Sequence, residues 1–134
     1  MSRLIPDDLK AQMIRNHYDV TQEKAEDHPP VVMLSSLDDT MIWLLSEYDP
    51  FYDDIAFGLC DLGMGSPELG DVSITELESV KWPRSGIPFI VQDKDFVPSY
   101  PMSVYAEAAR MCQQITIDPD QLAMAAAALK HRPS

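Results

Sequence analysis

Apolar positions along this chain recur at two spacings, and the switches between them mark out its elements. Near the start, Leu9, Met13 and Ile14 form a stripe at helical spacing. Pro6 fits a first helical turn, where its missing N–H is no loss, and Asp7 and Asp8 meet the positive end of the helix dipole. A helix over residues 5–16 is expected. A polar connection, residues 20–30, ends in Pro29-Pro30. Residues 31–35 and 41–48 then read as strands joined by Asp38-Asp39-Thr40, whose short side chains bond their own backbone in turns. The two are expected to form an antiparallel hairpin. After an Asp49-to-Asp54 loop, residues 55–60 form a third strand, and Gly58 inside it signals a bulge or a close backbone approach. Gly63, Gly65, Pro67 and Gly70 make residues 61–70 a loop that visits positive φ, with brief strand pairing from Leu69 to Val72.

The second half of the chain is punctuated by caps. In Val72-Ser73-Ile74-Thr75-Glu76-Leu77, Ser73 and Glu76 have the spacing of a capping box, with Val72 and Leu77 as its apolar staple. This predicts a helix over residues 74–81, stopped by Pro83. Residues 87–92 read as a strand that Pro88 pushes to a sheet edge. A helix from Pro101 aligns Val104, Tyr105, Ala108, Met111, Cys112 and Ile115. Asp118 at an N-cap and Pro119 at the first helical position open a last, alanine-rich helix. Strands in the middle and helices at both ends predict an α+β fold: a small antiparallel sheet, with helices packed on one face and at both ends of the chain. One domain is expected over residues 1–116, with a C-terminal helical appendage over residues 117–134.

Composition narrows the class. The chain has 134 residues and is 46% hydrophobic, enough for a folded core and too apolar for disorder. No apolar run approaches the roughly 20 residues that span a bilayer, and no apolar segment follows Arg3 as in a signal peptide. A cytoplasmic protein without membrane contact is expected. Cys60 and Cys112 lack metal or disulfide spacing and read as buried thiols.

Charge changes the picture more. Between Ala25 and Val80 stand thirteen carboxylates and no Lys or Arg, while the flanking segments are close to balanced. Direct binding to nucleic acid is disfavoured, because displacing phosphate counterions takes Lys or Arg. Two readings of the acids stay open. They keep the protein soluble, or they form a face for a basic, nucleic-acid-binding partner from host or phage. The partner-binding candidates are Glu47, Asp49, Phe51, Tyr52, Asp53, Asp54, Asp61, Glu68 and Asp71, with Phe51 and Tyr52 as aromatic anchors.

Signs of catalysis are thin. Gly63-Met64-Gly65-Ser66 lacks the Lys-Ser/Thr of a phosphate loop, and its serine does not stand between two glycines as in a nucleophile elbow. His17 reads as a helix-end histidine, His131 as part of a frayed tail, and a Cys60/His28 pair is conceivable but not demanded by spacing. Asp53, Asp54 and Asp61 could ligate a hard cation, yet the order of acids in an EF-hand is absent. A hydrolase-type enzyme using Cys60 or the Asp53/Asp54/Asp61 group is the alternative function, and no cofactor or metal is expected.

Three stretches resemble one known family. They are Trp43 to Pro50, Asp54 to Gly70 and Val72 to Val80, supported by Leu4-Ile5-Pro6 and by Pro101 to Arg110. The family is the bacterial one called domain of unknown function 2958, and the resemblance covers roughly residues 4–110. Its usual Gly-Pro-Leu-Gly-Leu-Pro turn is replaced here by Lys81 to Pro88. The family has no assigned reaction. Its members occur on plasmids, phages and integrative elements, often near anti-restriction genes. The resemblance therefore implies a mobile-element accessory protein, with counter-defence as the expected role.

Overall fold

The structure is a computed structural model that describes residues 3–21, 27–52 and 54–130. The predictions for Asp53 and His131 fall outside these residues. The elements in chain order are α1 (Asp7–Thr21), β1 (Val32–Ser36), β2 (Ile42–Asp49), β3 (Ile55–Asp61), β4 (Glu68–Ser73), α2 (Ile74–Ser79), β5 (Ile90–Gln92), α3 (Met102–Cys112) and α4 (Pro119–Lys130). Helix α1 outruns its expected end because neither Gly nor Pro interrupts it before Thr21. Helix α4 starts as expected, with the amide of Gln121 donating to Asp118 Oδ2 at 3.0 Å. At α2 only the serine half of the capping box forms: the Glu76 amide donates to Ser73 Oγ at 3.2 Å.

The five strands form one antiparallel sheet in the order β4-β3-β2-β1-β5. The fold is α+β, with helices at both ends of the chain. Alternate side chains along each strand feed two cores. Val32, Leu34, Trp43, Leu45 and Ala56 meet Leu4, Ile5, Met13 of α1 and Ile74 of α2. Met33, Leu44 and Leu59 meet Met102, Val104, Tyr105 and Ala108 of α3, and Leu122 and Ala125 of α4 join them. Each fully buried Leu or Ile contributes about 1.5–3 kcal/mol by leaving water.

Two irregularities in the middle of the sheet set the geometry of its Ile55 end. Gly58 lies against β2 so closely that a Cβ there would stand 2.0 Å from the Leu44 carbonyl oxygen. That is the close approach its mid-strand position foretold. In β2, the register on β3 shifts between Leu45 and Glu47, a β-bulge at Ser46. Beyond the bulge, Glu47, Tyr48 and Asp49 pair with Phe57, Ala56 and Ile55. Tyr48 thereby joins Ala56 in the α1 core, and Glu47 and Asp49 turn to the other face. Strand β1 ends opposite Leu45, so among the described residues no strand lies beside the outer edge of β2 from Ser46 onward. Asn16 of α1 takes that place, donating from Nδ2 to the Ser46 carbonyl at 2.9 Å.

Strand β4 spans six residues where the sequence promises only a brief pairing. Its pairing with β3 is unbroken from Ser73 to Glu68. At the opposite edge, β5 has three residues and begins two residues after Pro88, as the proline requires.

Candidate functional site

The acids that look alike in sequence separate into two groups. The first group holds the fold together. Asp27 accepts the Ser103 amide at 3.0 Å and its hydroxyl, closing the first turn of α3. Asp38 accepts the Ser36 and Thr40 hydroxyls and the Thr40 amide, and these bonds hold its carboxyl below the usual range. Glu78 Oε2 accepts the amides of Arg3 and Leu4, pinning the chain start across the molecule. Asp54 accepts the Thr75 hydroxyl at 2.8 Å, and its carbonyl accepts the Ile74 amide.

Asp61 belongs to this group too. It is only 5% exposed, and its two oxygens accept the Ile115 amide at 3.0 Å and the Gly63 amide at 2.9 Å. It ties the β3 end to the segment after α3 and to the glycine turn, where Gly63 and Gly65 adopt positive φ as expected. Asp54 and Asp61 flank β3 at opposite ends, roughly 20 Å apart at the rise of a strand. The proposed Asp53/Asp54/Asp61 group is therefore not one site. Among the described residues no three His, Cys, Asp or Glu side chains gather as a metal centre.

The second group is left outside. Beyond the β2 bulge, Glu47, Asp49 and Asp71 line a cleft of about 300 Å³ with His17, Tyr52, Ile55 and Phe57. Helices α3 and α4 cover the same face further along, at Leu44 and Leu59, and do not cover this end. His17 places Nδ1 3.4 Å from Glu47 Oε1 and Nε2 3.6 Å from Asp49 Oδ2. Among the described residues no Lys or Arg forms an ion pair with Glu47, Asp49 or Asp71. Asp49 also accepts the Phe51 amide at 2.9 Å, which sets the turn that carries the two aromatics. Phe51 is 93% and Tyr52 68% exposed beside this acidic wall. Residues 4–116 match the family model described as "Protein of unknown function (DUF2958)". The chain belongs to this family. The DUF2958 match takes in the cleft and all the strands, and it stops just before α4. Neither a search of curated proteins nor one of solved structures finds a match.

Of the nine candidate residues, the structure gathers Glu47, Asp49, Tyr52 and Asp71 around one cleft, with Phe51 at its rim. Asp54 and Asp61 are structural, and Asp53 is not among the described residues. Glu68 pairs with Cys60 on the face of Trp43, at the far end of β4. His17 and Phe57 join the cleft without having been candidates. His17 continues the spacing of Leu9 and Met13 by four more residues, a signal the sequence did contain. Phe57 gives none: it shares a face with Leu59 by strand alternation, and only the fold shows that α3 and α4 leave its end of that face open.

Cys60 lies in a separate hollow with Trp43, Leu62 and Met64. Burial, and secondarily the Asp71 charge, pushes its thiol up to about 11. A thiol so held is protonated at neutral pH and a weak nucleophile. No helix of the described residues is long and apolar enough to cross a membrane.

Proposed function

We propose that this protein is a non-enzymatic accessory factor of a plasmid, phage or integrative element, acting in the cytoplasm on a basic, nucleic-acid-binding protein. Counter-defence is the role that fits, given the anti-restriction neighbours of the family it resembles. One observation carries the binding part: Glu47, Asp49 and Asp71 line one open cleft without Lys or Arg partners among the described residues. Carboxylates left unneutralised in this way raise the local concentration of cations and speed the approach of a basic surface. Phe51 and Tyr52 supply apolar area beside the charge, the combination found where a few residues carry most of the binding energy. The hydrolase alternative has less support, since Asp54 and Asp61 stand at opposite ends of β3 and the Cys60 thiol is held protonated.

The test is affinity capture from bacterial lysate at low and high salt, with wild-type protein and the double variant Asp49→Lys/Asp71→Lys as baits. A basic protein retained by wild type at low salt, released at high salt and ignored by the variant is the expected result. Equal capture by both baits removes the cleft from the binding.

A further inference from the structure

The two edges of the sheet differ sharply. Strand β5 is three residues long, and the Pro88 segment beside it is already bridged to Lys81. Strand β4 offers six residues, and among the described residues only β3 pairs with its backbone before Ser73, where the chain turns into α2. Every second N–H and C=O along an edge strand points away from its neighbour, so β4 presents a row of open donors and acceptors.

The two faces flanking that edge differ in chemistry. On one face, Asp71 reaches the cleft it shares with Glu47 and Asp49. On the other, Gly70 and Val72 border a hollow of about 500 Å³ whose apolar wall is Trp43, Cys60, Leu62 and Met64, with Glu68 also in its lining. Gly70 opens this hollow, since a Cβ placed on it would meet nothing within 4 Å. Leu62 and Met64 are exposed at its rim.

We propose that β4 accepts an extended segment of the basic partner as a sixth strand. This rests on the reading of the acidic cleft given above and adds the mode of contact. In an added strand, successive side chains fall on opposite faces, level with the β4 residues they adjoin. The residue beside Asp71 faces the carboxylates and is Lys or Arg. Those beside Gly70 and Val72 face the Trp43 hollow and are apolar. The recognised segment thus alternates basic and apolar residues. A second copy of this chain is the wrong occupant. It would bring two acidic edges together, each carrying Glu68 and Asp71, and like charges across a strand pair are destabilising. The same carboxylates that bar self-pairing at an open edge admit a cationic strand.

Three synthetic peptides of about eight residues test this by fluorescence or calorimetric titration: alternating Lys-Val, the same peptide with alternate backbone nitrogens methylated, and a block Lys-then-Val order. The alternating peptide is expected to bind roughly tenfold tighter than the other two. It should also protect β4 amides from hydrogen exchange. Gly70→Phe, which fills the hollow from a position with open space, should keep the melting temperature and lose roughly tenfold in affinity for it. Equal, salt-sensitive binding of all three peptides overturns strand addition and leaves the acidic-cleft reading standing. No binding of the alternating peptide, undiminished binding to Gly70→Phe, or β4-mediated dimers of the free protein would each overturn it as well. Peptide affinity unchanged in Asp49→Lys/Asp71→Lys, with strand addition intact, would instead count against the cleft.

Discussion

The two ends of β3 treat the same functional group in opposite ways. At Asp61 a carboxylate is buried and both oxygens are occupied by backbone amides. It substitutes for a backbone partner that the glycine turn and the segment after α3 otherwise lack. At the Ile55 end, Glu47, Asp49 and Asp71 line an open cleft, and among the described residues only His17 forms an ion-pair contact with them. The first end is covered by α3 and α4; the second is not. At these two ends a carboxylate's role follows from whether a buried backbone amide is left needing an acceptor, not from its place in an acidic run. A group that satisfies buried donors stabilises the fold. A group with no such duty is free to face a partner.

The sharpest way to break this contrast is at the two glycines that pair across β3 and β4. Gly58→Ala drives a methyl into the Leu44 carbonyl and should destabilise by about 3 kcal/mol in urea titration. Gly70→Ala, in open space, should stay within about 0.5 kcal/mol of wild type. Comparable losses at both would deny that the sheet centre is tight and its edge open. Next come the acids themselves. Asp61→Ala strands the buried Ile115 amide and should lower stability by roughly 2 kcal/mol, whereas Asp71→Asn should change it by less than about 0.5 kcal/mol. Equal effects would erase the division between structural and free carboxylates.

The smallest effect concerns Cys60, on β3 between the two ends. Its thiol is raised from 9.0 to about 11 by burial and by Asp71. The folded state then holds its proton more tightly than the unfolded chain. The resulting stability is complete below pH 9.0 and fades as pH climbs toward about 11. Iodoacetamide labelling of folded protein at neutral pH should accordingly be slow, and should quicken to the rate of an ordinary thiol in urea. Fast labelling of the folded chain would reopen the case for a reactive cysteine. Asp71→Asn should shift the labelling profile slightly toward lower pH, because it removes the lesser of the two causes.

Much of the fold was legible because its determinants are local. The Asp118-Pro119 cap, the Asp38 turn and the apolar runs of β1, β2 and β3 are written in adjacent residues, and these elements stand within a residue or two of expectation. The full length of β4 was not legible. Its Glu68-Leu69-Gly70-Asp71 start has poor strand propensity and is held by β3 alone. The site was legible only in outline. Composition marks the acidic stretch, yet the partners that absorb Asp27, Asp61 and Glu78 lie 76, 54 and 75 residues away. No window along the chain contains that information. The facing of Glu47 and Asp49 likewise depends on one extra residue in β2, which periodicity alone reads straight through.

That extra residue, Ser46, sets the parity of everything after it. Were β2 to zip onto β3 without a skip, Glu47 would turn inward toward Met13 and Tyr48 would swing out to water. Excising Ser46 itself keeps every other side chain on its present side, while excising Leu44 or Leu45 keeps the far half in phase only by putting the serine where a core leucine stands. A single-residue deletion scan through this hairpin would therefore be expected to show one tolerated position surrounded by intolerant ones.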